Sequence, residues 1–116
     1  MKVTYYLNNT IAVVAPVGRI DSETSPELEK KVMALFQRGD RYLILDLSSV
    51  TYLASNGMRV LLLIAKKCQT YEAKFALVGI APFVRSVLEM TGFMQYFEEY
   101  ENAEAAIDSI AAQSNH

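Results

Sequence analysis

Short apolar runs alternate along this chain with stretches whose apolar residues recur at helical spacing, and this alternation most limits the fold. The runs that predict strands are 3–7, 11–17, 43–47, 74–80 and, more briefly, Tyr96-Phe97. Helices are predicted to begin near Thr24 or Ser25, near Arg59, at Pro82 and after Asn102. This pattern predicts an α/β fold: a mixed, largely parallel sheet of four or five strands with about four helices, in the order β-β-α-β-α-β-α-(β)-α.

The first two strands carry local signals of their own. Asn8-Asn9 tolerates positive φ and predicts a hairpin turn, while alternation predicts that Tyr5 and Tyr6 divide between core and surface. Pro16 lacks a backbone donor, so the second strand is expected to end there or to leave one side unpaired.

Length and composition indicate one soluble domain. The chain has 116 residues, of which 52% are hydrophobic and 21% charged. We expect one domain over 1–112 and a frayed tail over 113–116. No run approaches the roughly 20 apolar residues that span a membrane. The single cysteine, Cys68, excludes an internal disulfide, so we expect a buried thiol in a reducing, cytoplasmic setting.

Several function classes lose support from the residues that are missing. Eleven basic and thirteen acidic side chains are spread along the chain without a basic block, so nucleic-acid binding is not expected. The single histidine is His116 at the end of the chain, which excludes histidine triads and histidine-rich metal sites. The glycines are scattered and form no phosphate-binding loop. We therefore expect no enzyme activity, no cofactor and no metal.

Ser55 is the candidate functional residue. It follows an apolar strand and precedes the helix predicted over 59–69, so it lies at or next to a helix N-terminus. One interpretation is a capping hydroxyl that stabilises the helix by about 1 kcal/mol. The other is a phosphorylation switch, because free N–H groups and the helix dipole favour an added negative charge there.

The passage over 45–58 resembles the signature of STAS domains, particularly the stand-alone bacterial anti-sigma-factor antagonists. Gly18-Arg19-Ile20-Asp21 is similar to the family's motif after the second strand, and 79–84 and 90–93 are similar to its third-helix passage. At two positions the chain departs from the motif: Ala54 stands where the family has Asp, and Asn56 where it has Ser or Thr. Within residues 54–57, Ser55 is thereby the only residue with a hydroxyl.

The resemblance implies partner switching. The antagonist would bind an anti-sigma factor that is also a serine kinase, lose it when Ser55 is phosphorylated, and be restored by a metal-dependent phosphatase. Asp21 would take part in the kinase encounter. We expect a monomer. Its interface with the partner is expected to comprise the exposed apolar side of the helix that follows Ser55 and the residues Asp21, Ser22, Ser55, Asn56, Gly57, Met58 and Arg59.

Two other functions stay open from the sequence. A constitutive STAS subunit of a transporter or scaffold would use Ser55 only as a helix cap. A nucleotide-binding domain would need a phosphate-binding loop, for which the glycine spacing gives no support.

Overall fold

The computed structural model describes residues 2–8 and 11–114, within which the chain forms six strands and four α-helices. In chain order these are β1 (Lys2–Asn8), β2 (Ile11–Ile20), α1 (Ser25–Arg38), β3 (Tyr42–Asp46), β4 (Val50–Leu53), α2 (Ser55–Thr70), β5 (Lys74–Val78), α3 (Pro82–Met90), β6 (Glu98–Tyr100) and α4 (Ala103–Ser114). A short 3-10 helix, Phe93–Tyr96, precedes β6. The predicted order is confirmed, and β4 is an addition to it.

The strands form a mixed, largely parallel sheet in the order β1-β2-β3-β5-β6, with β4 paired to the far end of β2. The β1–β2 pair is antiparallel, and the other described pairs are parallel. The sheet type is therefore the one expected when helices connect successive strands. Asn8 ends β1, but the rest of the predicted hairpin turn lies outside the described residues, as do the last two residues of the predicted tail.

Strand β2 changes partner midway. Ile11–Val14 pairs with β3, and Gly18–Ile20 pairs with β4 across a register shift at Gly18, whose φ is +100°. Pro16 lies between these two pairings, so its missing N–H leaves no gap in either parallel ladder. The expectation of an unpaired side at Pro16 is confirmed, whereas the strand does not end there.

Two hydrophobic cores lie on opposite faces of the sheet. The larger is built by α1, α2 and α3, with Leu28, Leu61 and Leu88 each fully buried. The smaller is covered by α4 through Ala106 and Ile110. The larger core therefore supports the start of α2, where the candidate functional residue lies.

The expectation that Tyr5 and Tyr6 divide between core and surface is wrong. Both are exposed, at 43% and 51%. The reason is that β1 is an edge strand, which the helices cover incompletely. The Lys31 ammonium lies 3.9 Å from the centroid of the Tyr5 ring and holds it in a cation–π contact.

The last strand begins two residues later than expected. Tyr96 ends the 3-10 helix, and β6 follows Phe97. The buried Phe93 ring packs against Phe97 with centroids 5.1 Å apart, which draws this segment into the core as a helical turn. Asn102 caps α4 as predicted, since its Oδ1 accepts the Ala105 N–H at 2.9 Å.

Candidate functional site

Helix α2 begins at Ser55, but the Ser55 hydroxyl does not cap it. The N-cap is Ala54, which is extended (φ −84°, ψ 166°) and has no capping side chain. Its carbonyl accepts the Met58 N–H at 2.9 Å. Ser55 is the first helical residue and is exposed. The interpretation of Ser55 as a capping hydroxyl is therefore wrong, and the first N–H groups of α2 have no intrahelical acceptor.

The start of α2 is held against the end of β2. The Ala54 N–H donates to the Ile20 carbonyl at 3.0 Å. Gly57 packs on the same carbonyl so closely that a Cβ at this position would lie 2.4 Å from the oxygen. Because Asp21 and Ser22 directly follow Ile20, the structure places these two predicted residues beside the first turn of α2.

The Asp21 carboxylate organises the turn between β2 and α1. Its Oδ1 accepts the N–H groups of Glu23 at 3.0 Å and Thr24 at 3.1 Å, and its Oδ2 accepts Arg19 Nε at 3.4 Å. Desolvation acts to raise the pKa of Asp21, but hydrogen bonds from Thr24, Glu23 and Arg19 lower it below its ordinary value. Asp21 is thus an oriented anion at neutral pH.

Helix α1 begins where the sequence predicts, but no side-chain hydroxyl caps it. Thr24 is the N-cap, and its hydroxyl turns back to donate to the Arg19 carbonyl at 2.7 Å and to accept the Asp21 N–H at 3.0 Å. Ser25 is the first helical residue and is only 4% exposed. A buried serine at this point was not foreseen from the sequence.

A groove between the N-terminal halves of α1 and α2 lies beside Ser55. We call it the α1–α2 groove; its polar lining consists of Ser22, Ser25, Glu29, Asn56 and Arg59. Two aliphatic side chains of α2, Val60 and Leu63, complete it. The groove therefore brings together three of the residues predicted to bind a partner: Ser22, Asn56 and Arg59.

Two other predicted contact residues face inward. Met58 is 7% exposed and packs in the larger core with Leu61 and Cys68, and Gly57 is buried against Ile20. Neither can touch a partner in this conformation, because Met58 shares the core-facing side of the helix. The accessible part of the predicted surface consists of Asp21, Ser22, Ser55, Asn56 and Arg59.

The structure adds Tyr52 to this surface. Its ring is 43% exposed on β4, and the Arg19 guanidinium lies 4.3 Å from the ring centroid while also bonding Asp21. Sequence reasoning missed it because β4 was not predicted. The sequence signal for β4 was weak, because two outward-facing residues separate the apolar Val50 and Leu53, and apolar and polar residues therefore do not alternate.

Cys68, towards the end of α2, has a structural role. Burial raises the pKa of the Cys68 thiol to about 12, in agreement with the predicted packing role.

Within residues 2–8 and 11–114, no group of three or more side chains is arranged to hold a metal ion. In that same part of the chain, no helix has the length and apolar character needed to span a membrane.

Comparisons with known proteins point in one direction. The model of the STAS domain family matches residues 2–106. BtrV of Bordetella bronchiseptica, named as an anti-sigma factor antagonist, is 32% identical and covers 91% of each chain. RsfB of Mycobacterium tuberculosis, named an anti-sigma-F factor antagonist, is 26% identical over 93% of this chain and 88% of its own. The crystal structure of an anti-sigma factor antagonist from Mycobacterium paratuberculosis has a TM-score of 0.86 at 27% identity and covers 95% of this chain and 93% of its own.

Proposed function

This chain belongs to the STAS domain family, and we propose that it acts as an anti-sigma-factor antagonist by partner switching. With Ser55 unmodified it binds an anti-sigma factor that is also a serine kinase, in the cytoplasm. Phosphorylation of Ser55 releases that partner, and a metal-dependent phosphatase reverses the modification. The names of the relatives support the antagonist role.

The observation that carries the proposal is the exposed Ser55 hydroxyl at the first position of α2. A kinase can reach it without unfolding the domain. The transfer moves the γ-phosphoryl group of ATP to Ser55 Oγ; the hydroxyl proton is released and ADP leaves. No side chain of this chain has to act as a base, because the kinase supplies the catalytic groups.

The start of α2 is suited to an added negative charge. Its first turn contains no acidic residue, and the N-cap Ala54 offers no competing carboxylate. A phosphate adds about −1.5 to −2 charges, which unbonded N–H groups and the positive end of the helix dipole stabilise. The domain can therefore keep its fold when it is modified.

The same charge opposes docking. The accessible surface around Ser55 includes neutral Ser22 and Asn56 and the fixed Asp21 anion. A partner that fits this surface would have to desolvate or tolerate a further dianion, a mismatch that costs about 2–5 kcal/mol. Each 1.4 kcal/mol is a tenfold loss of affinity, so roughly 30- to 4,000-fold weaker binding is expected.

The test combines phosphorylation with binding. The purified chain is incubated with ATP and the serine kinase encoded nearest to its gene, and intact mass is recorded. We expect one added phosphate that Ser55→Ala abolishes. Calorimetry with the same kinase should show tight binding by the wild type and at least 30-fold weaker binding by Ser55→Asp.

The exposed Ser49, in the turn before β4, provides the matched control. Ser49→Ala should leave the phosphate in place, and Ser49→Asp should bind like the wild type. Unchanged affinity of Ser55→Asp would contradict the switch. Tight binding together with the absence of any phosphate would instead indicate a constitutive interaction subunit.

A further inference from the structure

We infer that Arg59, at the rim of the α1–α2 groove, is an intramolecular counterion that holds the phosphate on Ser55 over this groove. The inference rests on the proposed modification of Ser55 and names the residues that receive it. Arg59 was predicted only as a partner contact; here it also binds a group on its own chain.

The spacing of the two residues favours a direct contact. Ser55 and Arg59 are four residues apart on α2, and both are exposed. Residues at this spacing lie on one helix face with Cβ atoms about 5–6 Å apart, and an acidic group N-terminal to a basic one is the favourable order. A guanidinium can also bind two phosphate oxygens at once.

Arg59 is available for this contact. In the described part of the chain it forms no ion pair and no side-chain hydrogen bond, and neighbouring Glu29 lines the groove without pairing to it. The other four arginines all have partners: Arg19 with Asp21, Arg38 with Asp40, Arg41 with the carbonyls of Phe36 and Asp40, and Arg85 with Glu99. Arg59 is therefore the arginine whose guanidinium is unused.

A second polar group faces the same groove. The Ser25 side chain is only 4% exposed and makes no hydrogen bond with the described residues. No fully buried side-chain polar atom among those residues lacks a partner, so the Ser25 hydroxyl keeps some accessible surface, and Ser25 is one of the residues that line the groove. Together with the Asn56 amide and the Ser22 hydroxyl, it offers a donor to an anion.

The groove also sets limits on where the phosphate lies. Its volume of about 390 Å³ leaves room for a phosphate and its waters. Glu29 in the lining and Asp21 at the neighbouring turn repel a dianion. These two carboxylates favour a position on the α2 side of the groove, against Arg59 and the free N–H groups.

The test places phosphoserine at position 55 by genetic encoding, which needs no kinase. Phosphorus NMR then follows the second ionisation of the phosphate, which occurs near pH 6 in a free phosphoserine. Removing the guanidinium in Arg59→Gln should raise the midpoint by about 0.3 on the pH scale, because a favourable charge is lost. The midpoint of Arg59→Lys should lie between that of the unsubstituted phosphoprotein and that of Arg59→Gln.

The control is Lys66→Gln, which removes one positive charge from an exposed site further along α2. Its midpoint should match that of the unsubstituted phosphoprotein, and thermal melting should show that each variant is folded. Equal midpoints with and without Arg59, or equal shifts in Arg59→Gln and Lys66→Gln, would overturn the inference. If Arg59→Gln shifts the midpoint but the phosphoprotein still binds the kinase tightly, only the proposed switch fails.

Discussion

The Ile20 carbonyl oxygen and the α-carbon of Gly57 approach so closely that no side chain fits between the end of β2 and the first turn of α2. This contact, together with the hydrogen bond from the Ala54 N–H to the same carbonyl, sets where Ser55 lies. The position of the candidate switch therefore depends on a backbone contact between elements that are distant in the chain.

We expect Gly57→Ala to destabilise the domain. Replacing glycine by alanine in an exposed helix stabilises by up to about 1 kcal/mol. Here the new methyl group meets a backbone oxygen, which cannot move aside as a flexible side chain would, so overpacking should dominate and cost about 1–3 kcal/mol. Urea denaturation measures the change. Asn56→Ala, at the exposed neighbouring position, should stay within about 0.5 kcal/mol; a Gly57→Ala variant at least as stable as the wild type would contradict the close contact.

We expect Ala54→Ser to stabilise the domain by about 1 kcal/mol. Ala54 already has the extended backbone of an N-cap but lacks a side-chain acceptor for the first N–H groups of α2. The hydroxyl would provide one. Thermal or urea unfolding measures the gain, and Ala111→Ser, at an exposed position of α4, should instead lower stability by about 0.5 kcal/mol. Equal losses of stability in Ala54→Ser and Ala111→Ser would show that a hydroxyl at position 54 does not cap α2.

Asp21 should make stability depend on acid pH. Its hydrogen bonds lower its folded-state pKa, so its contribution is present above the ordinary carboxyl value of 3.8 and is lost as the pH falls through the lower folded-state pKa. Asp21→Asn should therefore be less stable than the wild type at neutral pH, and the difference should shrink on acidification. Urea unfolding across this range measures it, with Asp108→Asn on α4 controlling for net charge. A constant difference would contradict the assignment.

The fold class was predictable because its signal is local. Strand-like and helix-like runs alternate, and residues such as Pro26, Gly39 and Asn102 mark helix ends in agreement with the structure. Strand β4 was not predictable in this way. Its four residues show no clear period of two, and they form a strand because β2 continues beyond Pro16 to offer a free edge.

The site was predictable in position but not in detail. That Ser55 lies at or next to a helix start follows from local sequence, although α2 begins at Ser55 itself, four residues before the predicted Arg59. The nearness of Asp21 and Ser22 depends on the Ile20–Gly57 contact across the fold. Met58 and Leu61 have the spacing of one helix face, and both face the larger core. The predicted interface included Met58 because it took the whole motif as an exposed surface. The free Ser25 hydroxyl depends on how α1 packs and had no sequence signal.

The bare N-cap at Ala54 gives modification two effects of opposite sign. A phosphate on Ser55 would supply the acceptors and the negative charge that the first turn of α2 lacks, which typically stabilises a helix start by about 0.3–1 kcal/mol. The form that cannot hold its partner would then be the more heat-resistant one. Folding stability and partner affinity would change in opposite directions with a single covalent bond.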